Sequence, residues 1–118
     1  MAAKDGLGRY GEDVAVQHLE RGGLRVVSRN WRCNEGELDV VGYDGDVLVV
    51  VEVKTRSGVG FGSPAEAVTG RKAQRIRRLA CRWLMEHRPQ YSELRFDVVS
   101  VLRPSRGAAQ VEHLRGAF

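Results

Sequence analysis

The chain's 118 residues, 42% of them hydrophobic, suit one domain (residues 1–118) with one core and leave too little for two that stand alone. A net charge of +4, from 19 Lys and Arg against 15 Asp and Glu, admits a polyanionic partner, although a GC-rich coding bias accounts for the arginine excess equally well. No stretch approaches the ~18 apolar residues of a membrane helix, and Met1–Gly8 lacks the apolar core of a signal peptide, so a cytoplasmic protein with no membrane association is expected.

In chain order, Leu7 to Arg21 reads as a helix with Leu7, Val14, Ala15 and Leu19 on one side, stopped by Gly22-Gly23. Leu24–Cys33 and Glu37–Tyr43 read as strands. A two-residue hairpin turn at Asp44-Gly45 leads from the second into a third, Val47–Thr55. Ser57–Gly62 reads as a flexible loop, and not as a phosphate-binding P-loop, because no Gly-Lys-Ser/Thr follows it. Ser63-Pro64-Ala65-Glu66 is a capping box with proline at the first helical position, a helix start. Thr69-Gly70 interrupts that helix, and a longer one runs from about Arg71 to His87. Glu93–Leu102 is a fourth strand and Gln110–Leu114 a fifth. The order α-β-β-β-α-β-β predicts an α/β fold, one mixed sheet flanked by helices. Cys33 and Cys81 are too far apart to suggest a disulfide framework or a paired-cysteine metal site, and His18, His87 and His113 show no ligand spacing.

Strand side chains alternate, so Glu52 and Lys54 share one face of the third strand while Val49, Val51 and Val53 share the other. A turn at Asp44-Gly45 pairs Gly42 with Val47 and Asp39 with Val50. Asp39 and Glu52 are then diagonal neighbours on one face, roughly 7–8 Å apart at the backbone; a bulge would break the relation. Two carboxylates that close repel one another, and a hard, oxygen-ligated Mg2+ or Mn2+ resolves the repulsion. The backbone carbonyl next to Glu52, that of Val53, supplies a further ligand. Lys54, one step along the same face, is placed to orient a water or to stabilise charge on a phosphoryl oxygen. A solvated sheet face explains an isolated Glu-x-Lys as well; Asp39 on the same face is what sets this pattern apart.

On the longer helix Ile76, Leu79, Ala80 and Trp83 form the apolar face. Arg71, Arg75, Arg78 and Arg82 fall within about 60° of one another, a stripe that suits either a phosphate track or a solvated face. Lys72 lies inside the apolar arc, where it either snorkels along the core or reaches toward the active face of the charged strand, and it joins the arginines as a nucleic-acid contact candidate. Arg56, two residues beyond Lys54, is a further phosphate-contact candidate. Asp97 reads as structural, paired with a neighbouring arginine.

Asp39 followed by Glu52-Val53-Lys54 resembles the PD-(D/E)XK signature of restriction-endonuclease-like nucleases, with Leu38 where that signature has proline. The match is wider than the signature. Gly11-Glu12-Asp13, Asn30-Trp31-Arg32, Gly36-Glu37-Leu38-Asp39, Val51-Glu52-Val53-Lys54-Thr55-Arg56 and Arg95-Phe96-Asp97-Val98-Val99 together resemble the bacterial YraN-type family of predicted endonucleases. That family is similar in outline to archaeal Holliday-junction resolvases, and the resemblance runs from about Gly8 to Val101. It implies a restriction-endonuclease-like core, Asp39 and Glu52 as metal ligands, and Lys54 as the catalytic lysine. It also implies that Glu12 completes the acidic cluster as a catalytic and metal-binding residue. The residues alone leave Glu12 open between that role and a solvated helix start, and Glu37 open between auxiliary ligand and surface carboxylate. The family outline turns Lys72 toward the active face. The activity implied is a Mg2+- or Mn2+-dependent DNA endonuclease acting on branched or structured DNA. A domain this small covers little DNA, so a homodimer cutting two strands is a further expectation, from size alone. The competing readings are a non-catalytic nucleic-acid-binding or adaptor protein that retains the nuclease fold, and a structural domain with a polar sheet face.

Overall fold

The computed structural model describes residues 5–58 and 68–118. Helix α1 (Gly6–Arg21) starts where the Asp5 carboxylate accepts the Gly8 N–H at 2.7 Å, satisfying one of the donors that a helix start leaves open. Gly23, at φ +101, turns the chain into β1 (Arg25–Cys33), followed by β2 (Gly36–Asp44) and β3 (Val47–Ser57). Helix α2 (Gly70–His87) is capped by Thr69, whose Oγ1 accepts the Lys72 N–H at 3.2 Å. β4 (Glu93–Arg103) and β5 (Gln110–Leu114) complete the described elements. The capping box at Ser63–Glu66 and most of the Ser57–Gly62 loop lie outside the described residues. No described helix is long and apolar enough to cross a membrane.

The described strands form one mixed sheet in the order β1-β2-β3-β4-β5, parallel at β3/β4 and antiparallel elsewhere. This is the α/β arrangement that the element order implies. Ala15, Val16 and Leu19 of α1 cover one face, over Val40, Val49, Val51, Val99 and Val101. Ile76, Leu79, Ala80 and Trp83 of α2 cover the other, over Leu38, Val41, Leu48, Val50 and Phe96. β3 therefore buries consecutive residues, Leu48 to Val51, which is why its valine run does not alternate. Each such side chain contributes on the order of 1.5–3 kcal/mol. Because both faces accept valine, the run cannot by itself select a register.

The turn selects it, and it differs from the expected one. Asp44 pairs with Val47 and Val41 with Val50, so the two turn residues are Gly45-Asp46 and not Asp44-Gly45. Gly45 takes φ +63 at the first central position, as a type II′ turn requires. Asp44 thereby stays in the strand, where its carboxylate meets Arg95 Nη1 at 3.1 Å. The register moves by two residues, which preserves the faces and carries Asp39 from the level of Val50 to that of Glu52. The β2/β3 ladder ends at Val40–Val51, whereas β3 continues beside β4 as far as Ser57–Arg103. The sheet forks at Asp39.

Asp97 ties the end of the chain to β4, and Arg95 is the arginine that it pairs with. Its Oδ1 accepts from Arg95 Nε and from the Gly116 N–H, both at 2.9 Å, and its Oδ2 meets His113 Nε2 at 2.8 Å. Burial pushes the carboxyl pKa up, but hydrogen bonds with His113, Arg95 and Gly116 outweigh it and hold the group below the usual carboxylate range.

Candidate functional site

At the fork, Asp39 Oδ2 accepts the Val53 N–H at 2.9 Å. A continued ladder would send that donor to a β2 carbonyl; here the side chain takes it. A strand residue directs its N–H and C=O to the same neighbour. The Val53 carbonyl therefore faces the fork too, on the side that β2 has vacated. Asp39 is 7% exposed. Glu52 lies on the α2 side and pairs with Lys72 Nζ at 3.0 Å.

Asp39, Glu52, Glu35, Glu37, Lys72 and Arg75 line one hollow, backed by Gly36, Ile76 and Leu79. Glu37 is also paired with Arg32, Nε to Oε2 at 2.7 Å. Lys54 lines an adjoining hollow with Val53, Thr55 and the start of α1, and Lys72 borders both. Among the described residues the Lys54 side chain makes no hydrogen bond or ion pair, while its main chain runs in the β3/β4 ladder. Of the two readings of Lys72, the structure gives the one that reaches the charged strand.

The backbone is irregular at this level. Asn30 has φ +53, and the β1/β2 ladder skips it and Asp39 between the pairs Arg29–Val40 and Trp31–Leu38. Strict alternation would put Leu38 with Val40, yet Leu38 packs under α2 and Val40 under α1. One residue in each strand thus drops out of alternation at the same level. Asparagine is among the few non-glycine residues that take positive φ readily.

Glu12 holds this irregularity from α1. It is 1% exposed, and its Oε1 accepts from Asn30 Nδ2 at 2.7 Å and Arg29 Nε at 3.0 Å. Arg29 Nη2 also bonds Asp13 Oδ1 at 2.7 Å. That bond, with help from Glu12 and against the cost of burial, raises the Arg29 pKa and keeps the guanidinium charged. Gly11 lets α1 come this close, since a Cβ there would lie 1.8 Å from Thr55 Oγ1. Glu12 is therefore on the core side, but it does not line the hollow of Asp39 and Glu52. Among the described residues no three His, Cys, Asp or Glu side chains gather as a metal cluster.

Arg71, Arg75 and Arg78 are exposed along α2, with Arg75 at the rim of the hollow. Arg82 is committed to the β1–β2 turn, with Nη1 donating to Asn34 Oδ1 and 3.7 Å from Glu35 Oε1. Arg56 is half-buried on β3, and alternation puts it on the face of Glu52 and Lys54. Arg29 and Asn30 escaped the sequence reading as partners of Glu12; an asparagine in the middle of a strand was the available signal.

The family described as uncharacterised protein family UPF0102 matches residues 11–101, a span that includes Glu12, Asp39, Glu52, Lys54 and the α2 arginines. The chain is 64% identical over 118 residues to a UPF0102 protein of Frankia casuarinae, covering 100% of each. It is 65% identical to one of Frankia alni, covering 100% of this chain and 98% of the relative. A UPF0102 protein of Beutenbergia cavernae is 62% identical over 116 residues, 98% of both chains. The chain therefore belongs to the UPF0102 family, the YraN-type family that its motifs resemble.

Proposed function

We propose that the chain is a Mg2+- or Mn2+-dependent endonuclease that hydrolyses phosphodiester bonds in DNA. The observation that carries this reading is the Asp39 carboxylate, held on the Val53 N–H in the same hollow as Glu52. The donors fit the group: two carboxylates and a main-chain carbonyl facing the fork are hard oxygen ligands, suited to Mg2+ or Mn2+ and poorly suited to a thiolate-seeking metal. A cation bound there supplies Lewis-acid stabilisation of charge developing on a phosphoryl oxygen.

The chain's own residues do the rest. The Val53 N–H fixes the Asp39 carboxylate in place before any ligand arrives, which removes reorganisation from the chemical step. Lys54, at the edge of the site, orients the attacking water or stabilises the phosphoryl charge. Arg75 on the rim, with Arg71 and Arg78 one turn to either side at about 5–6 Å Cβ spacing, contacts successive backbone phosphates, joined by Arg56. Such contacts position a strand without reading bases, which favours branched or structured DNA, recognised by shape.

Incubation of the chain with branched, flapped, single-stranded and linear duplex DNA under Mg2+ or Mn2+ tests the reading, alongside Lys54→Ala and Asp39→Asn. Cation-dependent cleavage that vanishes in both variants is expected. Binding with no cleavage of any substrate would replace the enzyme by an adaptor that keeps the nuclease fold.

A further inference from the structure

Lys72 stands where helix electrostatics disfavour it. It lies in the first turn of α2, just after the Thr69 cap, and that turn carries no acidic residue. Arg71 and Lys72 thus put two cations at the positive end of the helix dipole, against a preference worth about 0.3–1 kcal/mol each. Lys72 also occupies the arc that buries Ile76 and Leu79. What compensates is Glu52, whose Oε1 is 3.0 Å from Lys72 Nζ, with the two side chains 13% and 29% exposed. Local placement that breaks helix rules in favour of one contact marks a functional contact.

We propose that Lys72 is a placeholder for the cation. In the metal-free chain its ammonium neutralises Glu52 beside Asp39, and a divalent cation reaching those carboxylates displaces it. The inference rests on the nuclease reading of the same hollow. A displaced Lys72 remains on the border between the hollow of Glu52 and that of Lys54. Its natural next partner there is a backbone phosphate. Lys72 is then available to DNA only once the cation is in place, so cation and DNA favour each other's binding, and by linkage the effect is mutual.

Mn2+ binding to the full chain without DNA, read from the electron-paramagnetic signal of free Mn2+, tests this. The comparison covers the native chain, Lys72→Met, Lys72→Gln, Lys72→Arg and Glu52→Gln, with circular dichroism reporting folding. The two neutral variants are expected to bind Mn2+ roughly three- to tenfold more tightly, the scale of removing one partly exposed cation. Lys72→Arg keeps the charge and stays near the native affinity, while Glu52→Gln loses binding. The neutral variants should also gain more melting temperature from Mn2+ than the native chain does. If the native chain binds Mn2+ and the neutral variants bind it equally or more weakly, the placeholder role is overturned and the nuclease reading stands. A native chain that binds no Mn2+, indistinguishable from Glu52→Gln, removes the nuclease reading and this inference with it.

Discussion

Asp39 of β2 accepts the main-chain N–H of Val53 of β3 at 2.9 Å, at the level where the two strands stop pairing. One carboxylate thus ends a ladder and, in the proposed nuclease, furnishes a ligand position, so the two roles can be separated by substitution. Asp39→Asn keeps an oxygen acceptor and should melt close to the native chain, yet lose cation-dependent DNA cleavage by at least ~100-fold. Asp39→Ala leaves the N–H without its acceptor and should cost an additional 1–3 kcal/mol or so in denaturant unfolding. Equal destabilisation by the two variants would contradict the ladder-ending role.

The approach of α1 to β3 depends on Gly11. A Cβ there would lie 2.6 Å from Thr55 Cβ as well as 1.8 Å from its Oγ1, so more than a rotamer change is needed to admit it. Gly11→Ala is expected to destabilise by about 1–3 kcal/mol, with Thr55→Ala recovering part of the loss. Unfolding curves of both single variants and the double variant measure the coupling. Strictly additive effects would show that the two residues do not meet.

The arginines of α2 divide by their commitments. Arg71→Ala, Arg75→Ala and Arg78→Ala should each weaken DNA binding and lower the slope of log affinity against log salt by about 1. Arg82→Ala should change the slope least, because its guanidinium is engaged with Asn34 and Glu35. Salt-titrated fluorescence anisotropy distinguishes the two groups, and a slope change at Arg82 equal to that at Arg75 would make the stripe a uniform track.

Acid should loosen the end of the chain through Asp97. Its folded pKa is depressed, so the group stabilises the fold above the unfolded value near ~3.9 and gives that stability up as pH falls through the folded value. Stability should therefore decline with falling pH from roughly pH 4–5 downward. Asp97→Asn should flatten that decline while costing about 1–3 kcal/mol at neutral pH, since the amide loses the charge that meets Arg95 while Arg95 keeps Asp44. Urea midpoints across this range decide it; an unaltered acid slope in Asp97→Asn would assign the effect to other carboxylates.

Element order and sheet class were legible because each rests on periodicity that both cores enforce. Asp39 and Glu52 do line one hollow, but alternation fails at Asp39 itself, where Leu38 and Val40 pack on opposite faces. The hairpin register was not, for a physical reason: the run from Leu48 to Val51 is buried on both faces, so valine sits equally well in either register. Asp44-Gly45-Asp46 offers a turn in two frames. Gly45 takes positive φ in either frame; what decides is Asp44, which would need positive φ as the first residue of a type I′ turn and does not take it. Glu12 was ambiguous because a carboxylate early in a helix has a ready solvent role; the partners that bury it, Arg29 and Asn30, come from another element. Lys72 showed itself as a cation in an apolar arc, a local inconsistency that needed Glu52, on the sheet face beneath α2, to resolve it.

The paired slips at Asn30 and Asp39 behave like a dislocation in a crystal. From the pair Ser28–Val41 to the pair Cys33–Gly36 the two strands keep one register across them, so the two offsets cancel; the register shift in this ladder lies further back, between Val26 and Ser28. Removing one residue from either strand alone would leave the other offset uncancelled and turn Trp31 or Leu38 away from the core under α2. Such a defect can be healed only by matched changes in both strands, and point substitutions cannot walk it along the sheet. The location of Asp39 is in this sense written into the count of residues in β1 and β2, while the chemistry around it remains free to be tuned one side chain at a time.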